Sequence, residues 1–308
     1  MARVLGIGDN TVDIYVDEGV QFPGGNAVNI AVLARRLGAE ASYLGCVGND
    51  RFASLIRDAL IAEGVDISHL RTLGAPNSWS RIRHEGGDRV FDGSRPSLRE
   101  AYDLSQSDFD FIAAHDLTHT SIYSKLEADL ERISAAAPLL SFDYSSEYAD
   151  AYLDATAPWV NVAFLSDADS SDEACRSLCA HVAALGPDTV VVLRGRRGAI
   201  GTSGGEFHEQ PVLDGPVVDT LGTGDGFIAA FLMARLDGSD LPAALERGAA
   251  NALDVCGYRG AFGYGVETTP DQPGLERPGI NQPGYRHPAD RPIGLSIAAG
   301  DAENGGRA

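Results

Sequence analysis

Val218-Asp219-Thr220-Leu221-Gly222-Thr223-Gly224-Asp225-Gly226-Phe227, running into Ile228-Ala229-Ala230-Phe231-Leu232-Met233-Ala234, is the stretch around which the chain is organised. An extended-looking run from Gly215 to Val218 gives way to two glycines around a threonine, then to a carboxylate at the mouth of an apolar helix. Glycines let a turn expose consecutive backbone N–H groups, and a helix N-terminus adds the positive end of its dipole, so such a turn can seat a phosphate. Asp225 beside it is placed to take a proton from whatever attacks that phosphate. A plainer reading has Asp225 capping the helix and the glycines only turning the chain. A bare Gly-x-Gly-Asp does not separate the two, so the surroundings must.

Upstream, Arg3 to Gly8 reads as a buried strand, and Asp9-Asn10-Thr11-Val12-Asp13-Ile14-Tyr15 sets acids among β-branched residues. Ligand groups in an open parallel sheet gather beyond the carboxyl ends of its strands, which makes Asp9 and Asp13 candidates to hold a polyol. Acids after a strand equally suit turns and caps. Pro23-Gly24-Gly25-Asn26-Ala27-Val28-Asn29 then opens a helix whose apolar positions Val28, Ala31, Val32, Ala34 and Leu37 keep helical spacing, with Gly38 as its stop. Asn26 and Asn29, three apart, share one face of the first turn, and amides offer the donor and the acceptor that sugar hydroxyls need. Capping accounts for Asn26 but not for Asn29, since asparagine inside an apolar turn is unfavourable without a partner.

A strand over Ala41 to Val47, a helix over Asp50 to Glu63 and a short extended piece over His69 to Leu73 follow. Two alternating segments around Glu85-Gly86-Gly87-Asp88 then read as a β-hairpin, from Trp79 to Phe91. A hairpin that interrupts a strand-helix alternation reads as a flap rather than as part of a parallel sheet. Its arginines Arg81, Arg83 and Arg89 suit either substrate contact or a solvated edge. The alternation then resumes: helix Ser107 to Ala114, strand Leu117 to Ser121, helix Lys125 to Ala136, strand Leu139 to Asp143, helix Ala149 to Thr156, strand Val160 to Leu165, helix Asp172 to Leu185, strand Thr189 to Leu193. With a closing helix over Leu241 to Cys256, this rhythm predicts an α/β fold, a doubly wound and mostly parallel sheet flanked by helices. His115 and His119 straddle a strand start and read as structural rather than as metal ligands. Arg194-Gly195-Arg196-Arg197-Gly198 is either a second anion site or a plain basic turn. From about Gly265, proline, glycine and charge without periodicity predict a loosely attached, disordered tail over 265–308, leaving 1–264 as one domain.

The formal net charge of −20 argues against nucleic acid or an anionic membrane as the main partner. Any anionic substrate must then be held by local N–H groups, arginines or a metal. Cys46, Cys175, Cys179 and Cys256 have no companion pair or nearby histidine that completes a zinc set, so all four read as reduced packing residues. The chain opens on a strand-like run without signal-peptide pattern and holds no run of membrane-spanning length, which predicts a cytoplasmic protein.

In this order the motifs resemble the PfkB (ribokinase-like) family of carbohydrate kinases, over about residues 3 to 264. Ile7-Gly8-Asp9-Asn10-x-Val12-Asp13-Ile14, Gly24-Gly25-Asn26-Ala27-Val28-Asn29, Gly64-Val65-Asp66-Ile67-Ser68-His69 and Asp88-Arg89-Val90-Phe91 are most similar to the fructoselysine 6-kinases. The resemblance implies a ribokinase-like fold with a lid over approximately 12–22 and 78–95. It also implies ATP- and Mg²⁺-dependent phosphorylation of a primary hydroxyl on a ketose-type sugar, foremost a fructosamine such as fructoselysine. In that reading Asp225 is the catalytic base and the backbone of Gly222, Thr223 and Gly224 is the anion hole. Asp13, Gly25, Asn26 and Asn29 grip sugar hydroxyls, with Asp9 and Arg89 as further substrate candidates. Arg194, Gly195, Gly198 and Thr220 line the nucleotide phosphates, and Asn251 lies near the adenine. The family's Asn-x-x-Glu element appears as Ser166-Asp167-Ala168-Asp169, so Asp169 stands where a glutamate reaches Mg²⁺ through water. Thr223 replaces the usual alanine, and Gly226 replaces a small polar residue, which predicts a looser helix start. The lid would exclude water from the sugar, and two copies could pair through it as a homodimer. The same chemistry on fructose, ribose or a nucleoside, or a catalytically weak sugar- or nucleotide-binding protein, are the alternatives. A dinucleotide oxidoreductase is disfavoured, because no Gly-x-Gly-x-x-Gly follows the first strand.

Overall fold

A computed structural model describes residues 1–85, 88–95, 98, 103–270, 272 and 274–275. The first half runs β1 (Arg3–Gly8), β2 (Thr11–Tyr15), β3 (Val20–Gly24), α1 (Asn26–Arg36), β4 (Glu40–Val47), α2 (Arg51–Ala62), β5 (Leu70–Thr72), β6 (Trp79–Glu85) and β7 (Asp88–Arg95). The second runs α3 (Gln106–Ala113), β8 (Leu117–Ser121), α4 (Leu130–Ala136), β9 (Leu140–Asp143), α5 (Asp150–Thr156), β10 (Val162–Ser166), α6 (Asp172–Leu185) and β11 (Thr189–Leu193). It closes with β12 (Ala199–Ser203), β13 (Glu206–Gln210), α7 (Thr223–Leu236), α8 (Leu241–Val255) and β14 (Val266–Glu267).

Nine strands form the large sheet in the order β13-β12-β11-β10-β9-β8-β1-β4-β5. Pairing is parallel from β11 through to β5, and only β12 and β13 run antiparallel. The parallel strands are apolar on both faces because helices cover both. Val190 and Val192 of β11 enter a core with Leu130, Ile133, Cys179 and Val182, whereas Val191 between them enters the opposite core with Phe227, Phe231 and Leu245. Every residue of α7 from Gly226 to Ala234 is buried, as a helix apolar all round must be when it lies between sheet and neighbouring helices. The strand order reverses at β1, between β4 and β8, so the carboxyl ends of β1, β8 and β9 meet at the switch point of a doubly wound sheet.

The lid is a separate five-stranded sheet, β14-β3-β2-β6-β7. It takes in the two segments the sequence marks as lid. The hairpin β6–β7 lies against β2, which runs parallel to β6 and antiparallel to β3.

Several expectations are corrected. The chain from 211 to 220 holds no strand, and Val217 and Val218 are exposed. The helix expected over Lys125 to Ala136 is shortened to α4, preceded by a 3₁₀ turn over Glu127–Asp129, with Lys125 itself in the left-handed region. The antiparallel pair β12–β13 extends the sheet over residues to which the sequence analysis assigns no element. Val266 and Glu267 pair with Gln21 and Val20 of β3, and Gln272 is buried, so the fold continues past Gly265. The remainder of the expected tail, 276–308, lies outside the described residues. All four cysteines are free and buried, and among the described residues no helix is long and apolar enough to cross a membrane.

Candidate active site

The site forms where the first turn of α7 meets the first turn of α1, over the ends of β1, β8 and β9. Gly222 caps α7 in the left-handed conformation, φ 74°, and a Cβ there would come 2.5 Å from Cβ of Ala261, so only glycine fits. The N–H of Thr223 bonds to the carbonyl of Thr220 and that of Gly226 to the carbonyl of Gly222. The N–H groups of Gly224 and Asp225 find no acceptor among the described residues, as is usual in the first turn of a helix. These two open donors lie in the turn that the sequence marks as a candidate phosphate seat. The Thr223 hydroxyl sits 3.3 Å from Sγ of Cys256, so the threonine leaves the turn's backbone undisturbed.

Gly226 does not loosen the helix. A Cβ there would meet Cγ2 of Val255 at 2.7 Å, and its carbonyl accepts from Nδ2 of Asn251 at 2.8 Å. The residue lets α7 and α8 touch, and Asn251 ties them together.

Asp225, third residue of α7, is gripped from α1. Nδ2 of Asn26 donates to its Oδ1 at 2.8 Å, and Nδ2 of Asn29 donates to its Oδ2 at 2.6 Å. Neither asparagine is a helix cap, because Asn26 already lies inside α1. The cap is Gly25, at φ 106°, where a Cβ would fall 2.5 Å from Cα of Asn10. Oδ1 of Asn29 is buried with no donor in reach. It lies near Gly24, and the Asp13 carboxylate approaches the same point from β2.

Sequence reasoning misplaced some residues and missed others. Asp9 does not open into the cleft. Its oxygens accept from the N–H of Asn26 at 2.8 Å, the N–H of Ala27 at 3.3 Å and the hydroxyls of Ser121 and Ser124 at 3.0 and 2.9 Å. It therefore caps α1 from the end of β1, a helix-capping role played across 17 residues of chain. Asp143, read only as a strand end, accepts from Nδ2 of Asn26 at 2.9 Å, so one amide nitrogen bridges two carboxylates. His119 presents Nε2 to Oδ1 of Asn26 at 2.9 Å and Nδ1 to Oγ of Ser141 at 2.5 Å. His115 is structural, bonded to the Phe111 carbonyl and Ser42.

Burial drives the electrostatics. Desolvation raises Asp225 to about 8, and the neighbouring charges of Asp143 and Asp9 push the same way against the two asparagine donors. Desolvation raises Asp143 to about 6, and raises Asp9 as well. His119 is lowered by burial to about 3 and stays neutral. Three carboxyl groups thus share one low-dielectric pocket, and Asp225 is more basic than Asp143.

Cδ1 of Leu193 lies 3.7 Å from where a Cβ of Gly224 would be, so the turn after β11 borders the first turn of α7. Gly195 is exposed and Gly198 takes φ 83° there, and Thr220 is exposed beside the α7 turn. Arg194 does not present a free cation to it. The side chain is 4% exposed, Nη1 donates to Oδ1 of Asp172 at 2.6 Å and Nη2 to the carbonyl of Arg197 at 3.0 Å. It shapes the turn instead. Asp169 is exposed in the loop after β10. Among the described residues no three His, Cys, Asp or Glu side chains converge as a caged ion would require. A single exposed carboxylate fits a Mg²⁺ that arrives with a triphosphate and keeps most of its water. The backbone of Arg89 lies in β7 and its side chain lies outside the described residues.

The chain is 41% identical over 269 residues to the fructosamine kinase FrlD of Bacillus subtilis (strain 168), covering 85% of this chain and 94% of that one. It is 34% identical over 262 residues to the fructoselysine 6-kinase of Escherichia coli (strain K12), covering 85% and 100%. The fold matches that of Arabidopsis thaliana ribokinase complexed with ribose and ATP, with a TM-score of 0.72 at 20% identity over 85% of this chain and 95% of that one. The profile of the pfkB family carbohydrate kinases matches residues 2–267, and the chain belongs to that family of ATP-dependent carbohydrate kinases.

Proposed function

We propose that the chain transfers the γ-phosphoryl group of ATP to a primary hydroxyl of a fructosamine, with fructoselysine as the type substrate. The observation that carries this reading is the Asp225 carboxylate, held by Asn26 and Asn29 beside the two open N–H groups of α7. Asp225 takes the proton of the acceptor hydroxyl as that oxygen attacks the γ-phosphorus. The bond to the β-phosphate oxygen breaks, and ADP leaves with the electron pair. The open N–H groups of Gly224, from the Gly222–Thr223–Gly224 turn, and of Asp225 after it stabilise the charge on the transferred phosphoryl. Mg²⁺, when bound with the nucleotide and touched through water by Asp169, supplies charge neutralisation on the phosphates. Gly195, Gly198 and Thr220 border those phosphates, and Asn251 on α8 stands by the base. Asp13 and the undonated Oδ1 of Asn29 accept from sugar hydroxyls, as a buried acceptor lacking a partner requires.

A fructosamine is favoured over a neutral ketose on two grounds besides the relatives. Its amine is cationic, and a chain of net charge −20 attracts it. The lid also offers a surface for what the amine carries. Tyr15, Ile82 and Phe91 stand on one face of that sheet, since Tyr15 pairs with Ile82 and Ile82 with Phe91. That face looks onto the site, because the Tyr15 hydroxyl bonds to Asp219 of the α7 turn. Phe91 is 49% exposed there and gives an aliphatic substituent something to pack on. Release of ADP measured over fructoselysine, fructose, ribose and a nucleoside should give the highest kcat/KM for fructoselysine. Phe91→Ala should raise KM for fructoselysine by about tenfold and leave fructose nearly unchanged, the effect of losing one apolar contact. Turnover of fructose without turnover of fructoselysine would reassign the acceptor. The edge of β7, outermost in the lid, is where two copies would pair in a dimer.

A further inference from the structure

Asn26 holds two buried carboxyl groups of the site, Asp143 and Asp225, with one nitrogen, so the orientation of its amide matters. In the ionised form that takes the proton, these carboxylates accept and do not donate, which puts Nδ2 toward Asp143 and Asp225 and leaves Oδ1 on the opposite side. What faces Oδ1 is His119 Nε2, at 2.9 Å. For the contact to be a hydrogen bond that nitrogen must carry the proton, and Nδ1 must then accept from the Ser141 hydroxyl, 2.5 Å away. His119 and Ser141 are register partners on the adjacent strands β8 and β9, and both are fully buried. The order of the large sheet therefore sets this tautomer.

We infer that His119 is a positioning residue of the phosphoryl transfer: its Nε2–H fixes the Asn26 amide, and the fixed amide keeps a donor on each of Asp143 and Asp225. The inference rests on reading Asp225 as the base. Without His119 the amide can turn over and set Oδ1 against a carboxylate, which disfavours the ionised form. The groups facing this pair are Asp9 from the end of β1, Tyr123 from the turn after β8, and the amides of Asn26 and Asn29 from α1. His119 itself stays neutral across the working range, so a moved pH limb reports the carboxyl groups and not the imidazole.

The test is the pH profile of kcat/KM for His119→Leu and His119→Gln, with the imidazole nitrogen resonances of the wild type. His119→Leu should move the acid limb upward by about one pH unit, lower activity at pH 7 by about tenfold, restore it at higher pH and leave KM for ATP unchanged. His119→Gln, which keeps a donor, should hold the wild-type limb. A loss in His119→Leu that is the same at every pH, or none at all, overturns the inference. If His119→Leu does not fold, the resonances decide: a proton on Nε2 is required, and a proton on Nδ1 contradicts it. An Asp225→Asn enzyme that kept full activity would defeat the assignment of the base, whereas the tautomer is read independently of that.

Discussion

Asp225→Asn is expected to lower kcat by at least about 10²-fold with every acceptor while leaving the fold intact, the usual scale for losing a positioned base. The substitution is nearly isosteric, and with its amide oxygen turned to Asn29 both α1 donors keep a partner, because Asn26 still donates to Asp143. Ground-state binding of sugar and nucleotide should change little, which makes this a kcat effect rather than a KM effect. Stability should move in the opposite direction from activity. The carboxyl of Asp225 is raised in the folded state from an ordinary 3.8 to about 8, so the folded protein binds a proton that the unfolded chain releases in that window. Its stabilising contribution is present below 3.8 and fades as pH rises toward 8. Asparagine cannot ionise, so the variant should have a Tm at pH 8 equal to or above that of the wild type, with the gap narrowing toward pH 5. Thermal melts at the two pH values, beside the kinetics, check both halves. A variant that is both inactive and strongly destabilised at pH 8 would point to a structural role for Asp225.

Asp219→Ala should be the most damaging change that leaves every reacting group in place. The Asp219 carboxylate accepts from the Tyr15 hydroxyl of the lid at 2.5 Å, from the N–H of Gly260 at 2.9 Å and from the N–H of Leu221 at 3.0 Å. It joins the lid sheet, the Gly260 turn and the turn before α7 at one buried point. Removing it strands three donors, at about 1–3 kcal/mol each, so a loss of roughly 3 kcal/mol or more in unfolding free energy is expected. Because the turn before α7 is then unanchored, kcat should also fall by about 10²-fold, the scale of a misplacement near 1 Å. Tyr15→Phe removes only the link to the lid, and should cost about 1 kcal/mol and act mainly on KM for the sugar. Equal damage from the two substitutions would show that the lid link, rather than the turn, is what Asp219 maintains.

The parts of this site that could be read from sequence are those written in short local patterns. The turn from Gly222 to Asp225 and the pair Asn26 and Asn29 each lie within one helical turn, and each residue type departs from what an apolar helix start would use. The parallel sheet was legible for a similar reason, since runs such as Val190-Val191-Val192 suit only a strand covered on both faces. Asp143 and His119 carried no such mark. They end or sit within ordinary short strands, and become neighbours of Asn26 only because β9 lies next to β8 and β8 next to β1. Asp9 shows the converse. An acid after a strand fits a ligand or a cap equally well, and the decision lay with a helix start 17 residues on. Arg194 was equally undecidable, because Asp172 and Glu209, which neutralise it, come from elements distant in the chain. The last strand of the lid was hidden by its proline- and glycine-rich surroundings, though two residues of backbone pairing suffice to join it to β3.

The central claim is that a buried, unusually basic Asp225 takes the acceptor's proton, and the pH dependence of kcat/KM for fructosamine phosphorylation tests it most directly. Asp143 and Asp225 titrate together, and their values of about 6 and about 8 predict an acid limb between those pH values, with activity rising as pH increases. The residual activity of Asp225→Asn should be flat across the same window, which separates the limb from ionisation of the nucleotide. A wild-type profile already level down to pH 5, or a limb that persists in Asp225→Asn, would contradict the account.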